Sequence, residues 1–320
     1  MSGAEKIAVK VTDIVKVNDL VTRFRFERVD GGLLPTFSGG AHTVVELRDG
    51  TLTRLNPYSL MSDPMDQRAY TISVRRDYAG RGGSLFLHNH VSIGDTLTIS
   101  YPVNLFPLDL RAKKHLFIAG GIGITPFLAQ IKQLRRLGGK WELHYSCRSE
   151  ALGSYVDELT GQYPDRTHIY YGDQKQAIDL QGVLEGQPLG THVYVCGPKG
   201  MIDWVRATAT AAGWPREGIH YEEFLSPKSG KPFEVKLAVS NKIIAVGENE
   251  SLLEAMEREG VDAPYLCRGG ACGQCETDVI DYTGQFIHRD HWLDEAEHGS
   301  GKKIMPCVSR FEGKTLVLDR

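Results

Sequence analysis

The sequence contains no stretch approaching the roughly 18 consecutive apolar residues of a membrane-spanning helix. An apolar leader is missing too, because Met1–Lys10 carries Glu5, Lys6 and Lys10 where a secretory signal would place a hydrophobic run. A cytoplasmic protein with no membrane attachment is expected. Basic charge is not in excess: 37 Lys and Arg face 40 Asp and Glu, a net of −3, which gives no electrostatic reason for a nucleic-acid partner. Internal repeats and low-complexity tracts are absent, which excludes a solenoid. Cysteines are few, and four of the six fall within the last 54 residues. In a reducing compartment such crowding points to metal ligands rather than disulfides. What remains, 41% hydrophobic and 24% charged residues over 320 positions, suits a globular protein of two or three domains.

The texture changes twice along the chain. Residues 1–108 read as short strands (Lys6–Val17, Val21–Arg28, His42–Leu47, Ala69–Arg75, Asp95–Ser100) broken by Asp30-Gly31-Gly32, Asp49-Gly50 and Gly80–Gly83, a pattern of an antiparallel β-barrel or sandwich. Residues 109–226 alternate strand and helix. His115–Ala119, Trp141–Cys147, Thr167–Tyr171 and Thr191–Cys196 read as strands, and Pro126–Leu137 as a helix stopped by Gly138-Gly139, which predicts a parallel α/β sheet. Residues 227–232 have linker composition. In 233–320, Phe233–Val239 and Lys242–Val246 read as a hairpin. Ser251 is the expected N-cap of a helix over Leu252–Glu259, with Glu254 completing a capping box.

The cysteine spacing in the last segment is C-x4-C-x2-C over Cys267, Cys272 and Cys275, then Cys307. Three ligands on one loop and a fourth from a distant segment match the plant-type 2Fe–2S pattern. The loop's glycines allow backbone N–H groups to turn toward the sulfurs. A zinc site usually needs a second C-x2-C pair, which is missing, and a disulfide framework conflicts with the absent leader.

Gly120-Gly121-Ile122-Gly123-Ile124-Thr125-Pro126 joins a buried strand to a helix, where glycines permit close approach of a pyrophosphate. The G-x-G-x-x-G fingerprint is not there, and alone such a turn is equally consistent with a tight connection. A second segment, Val195-Cys196-Gly197-Pro198-Lys199-Gly200-Met201, follows another strand onto the same expected rim. Cys196 is a candidate neighbour of a nicotinamide or a small buried thiol. Arg148 is placed for a phosphate or ribose, or is a solvated surface charge. Asp173 would accept from a ribose hydroxyl and repel a 2′-phosphate, favouring NADH over NADPH, or is a turn residue in Gly172-Asp173-Gln174.

Taken in order, Asn56-Pro57-Tyr58-Ser59-Leu60, Ser73-Val74-Arg75-Arg76-Asp77, Gly80-Arg81-Gly82-Gly83-Ser84, Gly120–Pro126, Cys196-Gly197-Pro198, Tyr221-Glu222-Glu223-Phe224 and the cysteine loop resemble the phthalate dioxygenase reductase family over nearly the whole chain. The resemblance implies an FMN-binding β-barrel, an NADH-binding α/β domain and a β-grasp ferredoxin domain, in a monomer that feeds electrons to a terminal oxygenase. It implies FMN rather than FAD. By position it places Tyr58, Ser59 and Leu60 at the isoalloxazine and ribityl chain, and Ser73, Val74 and Arg75 along the flavin. Gly82, Gly83 and Ser84 would hold its phosphate. Thr125, Cys196 and Phe224 would form the catalytic set where flavin and nicotinamide meet. Packing is the alternative for Tyr58, Val74 and Phe224. One position departs from the family: its flavin motif usually begins with an Arg that meets the phosphate, and Asn56 stands there. Arg54, Arg75, Arg76 and Arg81 are the residues able to replace that charge.

These parts imply electron flow from NADH through FMN and 2Fe–2S to an oxygenase or demethylase. The other readings are an iron–sulfur carrier with a weakened flavin site and a stand-alone flavin or ferric reductase. The eleven histidines receive no catalytic role. Residues 230–320 hold 11 Lys and Arg against 16 Asp and Glu, leaving the rest of the chain slightly positive. That acidic bias suits steering toward a basic partner, or is ordinary surface charge.

Overall fold

Alternation sets the first strand: Ile7, Val9 and Val11 are buried while Lys6, Ala8 and Lys10 face solvent. The computed structural model describes residues 6–50 and 52–320, so the Met1–Lys10 stretch read for a leader is described only from Lys6. Seven strands build the first sheet: β1 (Lys6–Lys16), β2 (Val21–Arg28), β3 (Ala41–Asp49), β4 (Leu52–Ser59), β5 (Tyr70–Arg75), β6 (Thr96–Ser100) and β7 (Val103–Asn104). Their order is β4-β3-β6-β1-β2-β5, with β7 on β3 and every pairing antiparallel. The sheet curls into a nearly closed barrel around Val9, Val11, Phe24, Phe26, Val45 and Ile72. Pro57 is tolerated in β4 because that strand lies at the end of the hydrogen-bonded order.

Helix α1 (Gly83–His90) lies on this barrel and has no counterpart among the elements predicted from sequence. Its cap is Gly82 at φ +89°, with no side-chain hydrogen bond, so the usual Ser, Thr, Asp or Asn signal for a helix start is missing.

The second sheet is parallel in the order β10-β9-β8-β11-β12: β8 (Lys114–Gly120), β9 (Trp141–Cys147), β10 (Thr167–Tyr171), β11 (Thr191–Cys196) and β12 (Ile219–Glu222). In β8 the run His115–Gly120 is buried throughout, as a central strand covered on both faces must be. Helices α2 (Thr125–Leu137), α3 (Val156–Gln162), α4 (Leu180–Glu185) and α5 (Lys199–Ala211) provide the cover. Pro126 sits in the first turn of α2, and Gly138 ends it at φ +68°.

The third sheet has the order β14-β13-β17-β15-β16, from β13 (Phe233–Leu237), β14 (Lys242–Val246), β15 (Thr277–Ile287), β16 (Lys303–Ile304) and β17 (Arg310–Leu318). β13 and β17 run parallel and the other pairs antiparallel. Helix α6 (Leu252–Arg258) packs Leu252, Leu253, Ala255 and Met256 into this core, and α7 (Glu295–Ser300) precedes β16. The predicted capping box is present: Ser251 Oγ accepts from Glu254 N at 3.1 Å, and Ser251 N donates to Glu254 Oε2 at 2.7 Å.

Candidate functional site

A cleft of about 710 Å³ opens where the barrel, the parallel sheet and the ferredoxin-like sheet meet. Period-two alternation on β4 puts Arg54, Asn56 and Tyr58 on one face, and Asn56, Tyr58 and Ser59 line the cleft. From β5 come Ser73 and Arg75, and from the cap and first turn of α1 come Gly82, Gly83 and Ser84. The α/β domain contributes Thr125, whose Oγ1 donates to Ile122 O at 3.0 Å, and the half-exposed Phe224. Cys267 and Cys272 close the far wall.

Leu60 and Val74 depart from the expected flavin-lining set. Both side chains belong to the barrel core, 0% and 1% exposed. Val74 alternates with Ser73 and Arg75, so when those two face the cleft it must face the core.

Four arginines stood as replacements for the charge missing at Asn56, and their surroundings separate them. Arg81 is committed elsewhere, in a buried pair with Glu254. Arg76 Nη1 donates to Tyr78 OH at 3.4 Å. Arg54 donates from Nε to Arg81 O at 2.7 Å and lies over Gly82, where an added Cβ would come 3.4 Å from its Nη2. Arg75 is exposed at the cleft wall. Arg54, which also pairs with Asp49 Oδ2 at 3.3 Å, therefore borders the Gly82–Ser84 turn, and Arg75 lines the cleft. Asn56 itself packs on the start of α1, its Nδ2 2.7 Å from where a Gly83 Cβ would stand.

The two Gly-rich segments of the parallel sheet meet at the carboxyl ends of β8 and β11. A Cβ on Gly123 would fall 2.2 Å from Cys196 O, and one on Gly120 would fall 2.8 Å from Pro198 Cδ and from Met201 Sδ. Gly197 packs in turn on Gly120 and Met201, and Gly121 takes φ +54°. Cys196 is 1% exposed in the core with Phe117, Ala119 and Ile124, and burial pushes its thiol well above the ordinary range. It fills space there as a small buried thiol and lies outside the cleft wall. Parallel pairing of β9 with β10 brings Arg148 and Asp173 together on the same rim: Asp173 N donates to Arg148 O at 2.9 Å, and both residues are exposed.

Four thiols converge in the ferredoxin-like domain. Cys267 and Cys272 lie within hydrogen-bond reach of each other, as do Cys275 and Cys307. Hydrogen bonding from Cys272, then from the N–H groups of Gly269, Ala271 and Cys272, lowers the Cys267 thiol below the ordinary range against its burial. Gly269 N lies 3.3 Å from Cys267 Sγ. Gly273 takes φ +75° beneath Trp292, whose ring would stand 2.2 Å from any Cβ at that position, and Trp292 Nε1 donates to Glu276 at 2.9 Å. All six cysteines are free thiols, which removes the disulfide alternative. Four convergent thiols with inward N–H groups are the donor set a 2Fe–2S cluster requires.

Two His–carboxylate groups stand elsewhere, Glu142–His144–His168 and His288–Asp290–His298. In each the two imidazoles are stacked, with centroids 4.6 and 4.2 Å apart, so their in-plane lone pairs do not converge on one ion.

Glu222 enters the cleft wall, although sequence reading noted it only within an acidic motif. Its Oε2 is buried and has no hydrogen-bond partner among the described residues, and burial pushes the carboxyl from 4.5 up to about 8. The folded chain therefore keeps this proton to higher pH than the unfolded chain, so stability falls as pH rises from about 4.5 to about 8. Glu222→Gln removes that fall. Its Tm is expected to exceed the parent's by about 2–4 °C at pH 8.5 and to match it at pH 4.5. Equal melting curves at pH 8.5 would show that the carboxylate is solvated. Beside it, Glu223 Oε2 meets His291 Nε2 at 2.7 Å, joining the α/β and ferredoxin-like domains.

Comparison with known proteins agrees with this geometry. Residues 235–312 match the 2Fe-2S iron-sulfur cluster binding domain, which removes the zinc alternative, and residues 100–219 match the dimethylamine monooxygenase subunit DmmA-like N-terminal domain. The chain is 45% identical to the heme-dependent oxidative N-demethylase beta subunit of Ectopseudomonas mendocina, covering 97% of this chain and 98% of that one. It is 43% identical to the carnitine monooxygenase reductase subunit of Acinetobacter baumannii, with 99% of each covered. The solved structure of phthalate dioxygenase reductase, described as a modular structure for electron transfer from pyridine nucleotides to [2Fe-2S], superposes with a TM-score of 0.90 at 35% identity over 98% of both chains.

Proposed function

The chain belongs to the phthalate dioxygenase reductase-like family, and from that membership we propose that it is the NADH-dependent reductase component of a multicomponent oxygenase or demethylase. One observation carries the reading: a single cleft is walled by Tyr58, Ser59 and Gly82–Ser84 on one side and by Cys267 and Cys272 on the other. Bound there, FMN would supply a hydride acceptor able to release electrons singly, and a 2Fe–2S cluster would supply a one-electron carrier toward the oxygenase.

The chain's own residues bind and orient. We assign residues 1–108 to the flavin module, 109–226 to the nicotinamide module, 227–232 to the linker and 233–320 to the ferredoxin module. Backbone N–H groups of Gly82, Gly83 and Ser84 at the start of α1 favour a phosphate, and Arg54 and Arg75 supply the charge that Asn56 does not. Tyr58 and Phe224 flank the ring, and Thr125 borders the meeting point of flavin and nicotinamide. The turns at Gly120–Gly123 and Cys196–Pro198 receive the pyrophosphate, with Met201 packed beneath them. Arg148 and Asp173 sit where a ribose would lie, which favours NADH. Cys267, Cys272, Cys275 and Cys307 ligate the cluster. None of the helices among the described residues is long and apolar enough to cross a membrane. Six free thiols fit a reducing cytoplasm, and a cleft completed by one chain suits a monomer.

The test is anaerobic addition of NADH to protein reconstituted with FMN. Both flavin and cluster absorbance are expected to bleach, and cytochrome c to be reduced on its addition. Arg54→Gln is expected to raise the FMN dissociation constant about tenfold, the loss of one charge-assisted hydrogen bond. A protein that cannot be reconstituted with FMN, or whose chromophores ignore NADH, would sink the reading. The bare-carrier alternative predicts that failure. A stand-alone reductase predicts that no protein acceptor is needed.

A further inference from the structure

We propose that Arg81 and Glu254 form a lock that holds the ferredoxin domain against the flavin barrel and so sets the separation that electrons must cross between them. Arg81 Nη1 lies 2.6 Å from Glu254 Oε2, and Nη2 lies 3.0 Å from Oε1, in a bidentate pair. The two side chains are 4% and 8% exposed. Among the described residues this is the one Arg–carboxylate pair with both partners so deeply buried. It joins positions 173 residues apart, on different domains.

Each end of the pair is anchored in its own domain. Arg81 stands between Gly80 and Gly82 on the cleft wall, Gly82 takes a positive φ before residues 83–84, and the Arg81 guanidinium reaches Glu254. Arg54 Nε fixes the Arg81 carbonyl at 2.7 Å. On the other side, Glu254 Oε2 accepts from Ser251 N at 2.7 Å as well as from Arg81. One carboxylate thus caps α6 and receives the barrel. Arg81 Nη1 also donates to Asn249 O at 2.9 Å, and Asn249 Oδ1 accepts from Ser229 Oγ in the linker at 2.6 Å. Opening the pair frees the linker as well.

Buried ion pairs add little net stability compared with apolar packing, but they penalise any arrangement that leaves either charge unmet. A domain that rotated or slid would strand a desolvated guanidinium and a desolvated carboxylate. The partly exposed His291–Glu223 contact across the cleft lacks that penalty because water can replace either partner. Arg81 and Glu254 are positioning residues, acting on where the cluster loop lies rather than on the reacting atoms.

Two substitutions separate the lock from the cap. Glu254→Gln keeps a residue that can complete the capping box but removes the charge facing Arg81. Ser251→Ala removes the cap hydroxyl and leaves the pair. The first readout needs no cofactor activity: trypsin cleavage of the flavin- and cluster-loaded protein after Lys228, an exposed linker residue. Glu254→Gln is expected to speed that cleavage at least about tenfold, because cleavage tracks the open population. Ser251→Ala is expected to stay within about twofold. The second readout, which rests on the function proposed above, is stopped-flow. NADH reduction of the flavin in Glu254→Gln should remain within about twofold, while cluster reduction slows at least about tenfold.

Parent-like cleavage in Glu254→Gln, or equal acceleration in Ser251→Ala, would overturn the lock. If cleavage responds as expected but neither chromophore accepts electrons from NADH, the function fails and the lock stands. Should Glu254→Gln fail to accumulate, Arg81→Met with Glu254→Met leaves no buried charge unmet and carries the same expectation and the same refutation.

Discussion

Cys307→Ala is expected to leave NADH-dependent reduction of ferricyanide nearly intact while cytochrome c reduction falls about a hundredfold or more, since only the latter needs the cluster. Cys307 is 1% exposed and lies beyond β16, far in sequence from the loop that holds the other three cysteines. It contacts Cys275, so its removal deprives the site of one of two paired thiols. Water cannot take its place at a position enclosed by Val308 and Met305 in the ferredoxin core. The barrel and the parallel sheet have separate cores, so the flavin half should survive. Ultraviolet–visible spectra of the purified variant report the cluster directly. A variant that keeps the 2Fe–2S absorption and reduces cytochrome c at the parent rate would remove Cys307 from the ligand set.

Gly123→Ala is expected to cut NADH-driven flavin reduction about tenfold or more, with a stability loss of about 1–3 kcal/mol, the usual cost of forcing one extra carbon into a filled space. The added methyl would meet Cys196 O at 2.2 Å, Cys196 C at 2.5 Å and Gly197 N at 2.8 Å. All three are backbone atoms, so no side-chain rotation relieves the clash. Either the end of β11 moves or the turn before α2 does, and both belong to the rim proposed to receive the dinucleotide. Loss of affinity should appear as a raised KM for NADH, with the four-cysteine centre spectroscopically unchanged. Gly161→Ala is the control, because nothing lies within 4 Å of its added Cβ. A Gly123→Ala protein with parent KM and melting temperature would show that the two turns do not pack as described.

The elements legible from sequence were those with a strong local signal. Ser251 and Glu254 announce α6 through a capping box that uses four consecutive residues. His115–Ala119 shows a buried strand because both of its faces are covered by helices. Helix α1 gave no such signal, since its cap is a glycine in the left-handed region and its eight residues carry little helical periodicity. Val74 and Leu60 show another limit. A motif names neighbours along the chain, while the pleat of β5 decides that Ser73 and Arg75 share one face and Val74 takes the other. Glu222 was visible as one acid in Tyr221–Phe224, but its raised protonation range comes from burial that only the folded chain produces.

The 2Fe–2S domain could be read without a structure because cysteine type and spacing are local facts: three thiols must fit on one loop to reach two irons. Residue order along the chain likewise determined three modules and their kinds. What the tertiary structure alone decided is how those modules face one another. Arg81 looked like a spare cation for a flavin phosphate, and Glu254 looked like a helix cap. Each reading considered only residues nearby in sequence. Folding brings the two together across 173 positions, where water is excluded and a charge must find its opposite. That desolvation is a property of the packed domains and of no segment by itself, so only the folded chain commits Arg81 to Glu254 and leaves Arg54 beside the Gly82–Ser84 turn and Arg75 at the cleft.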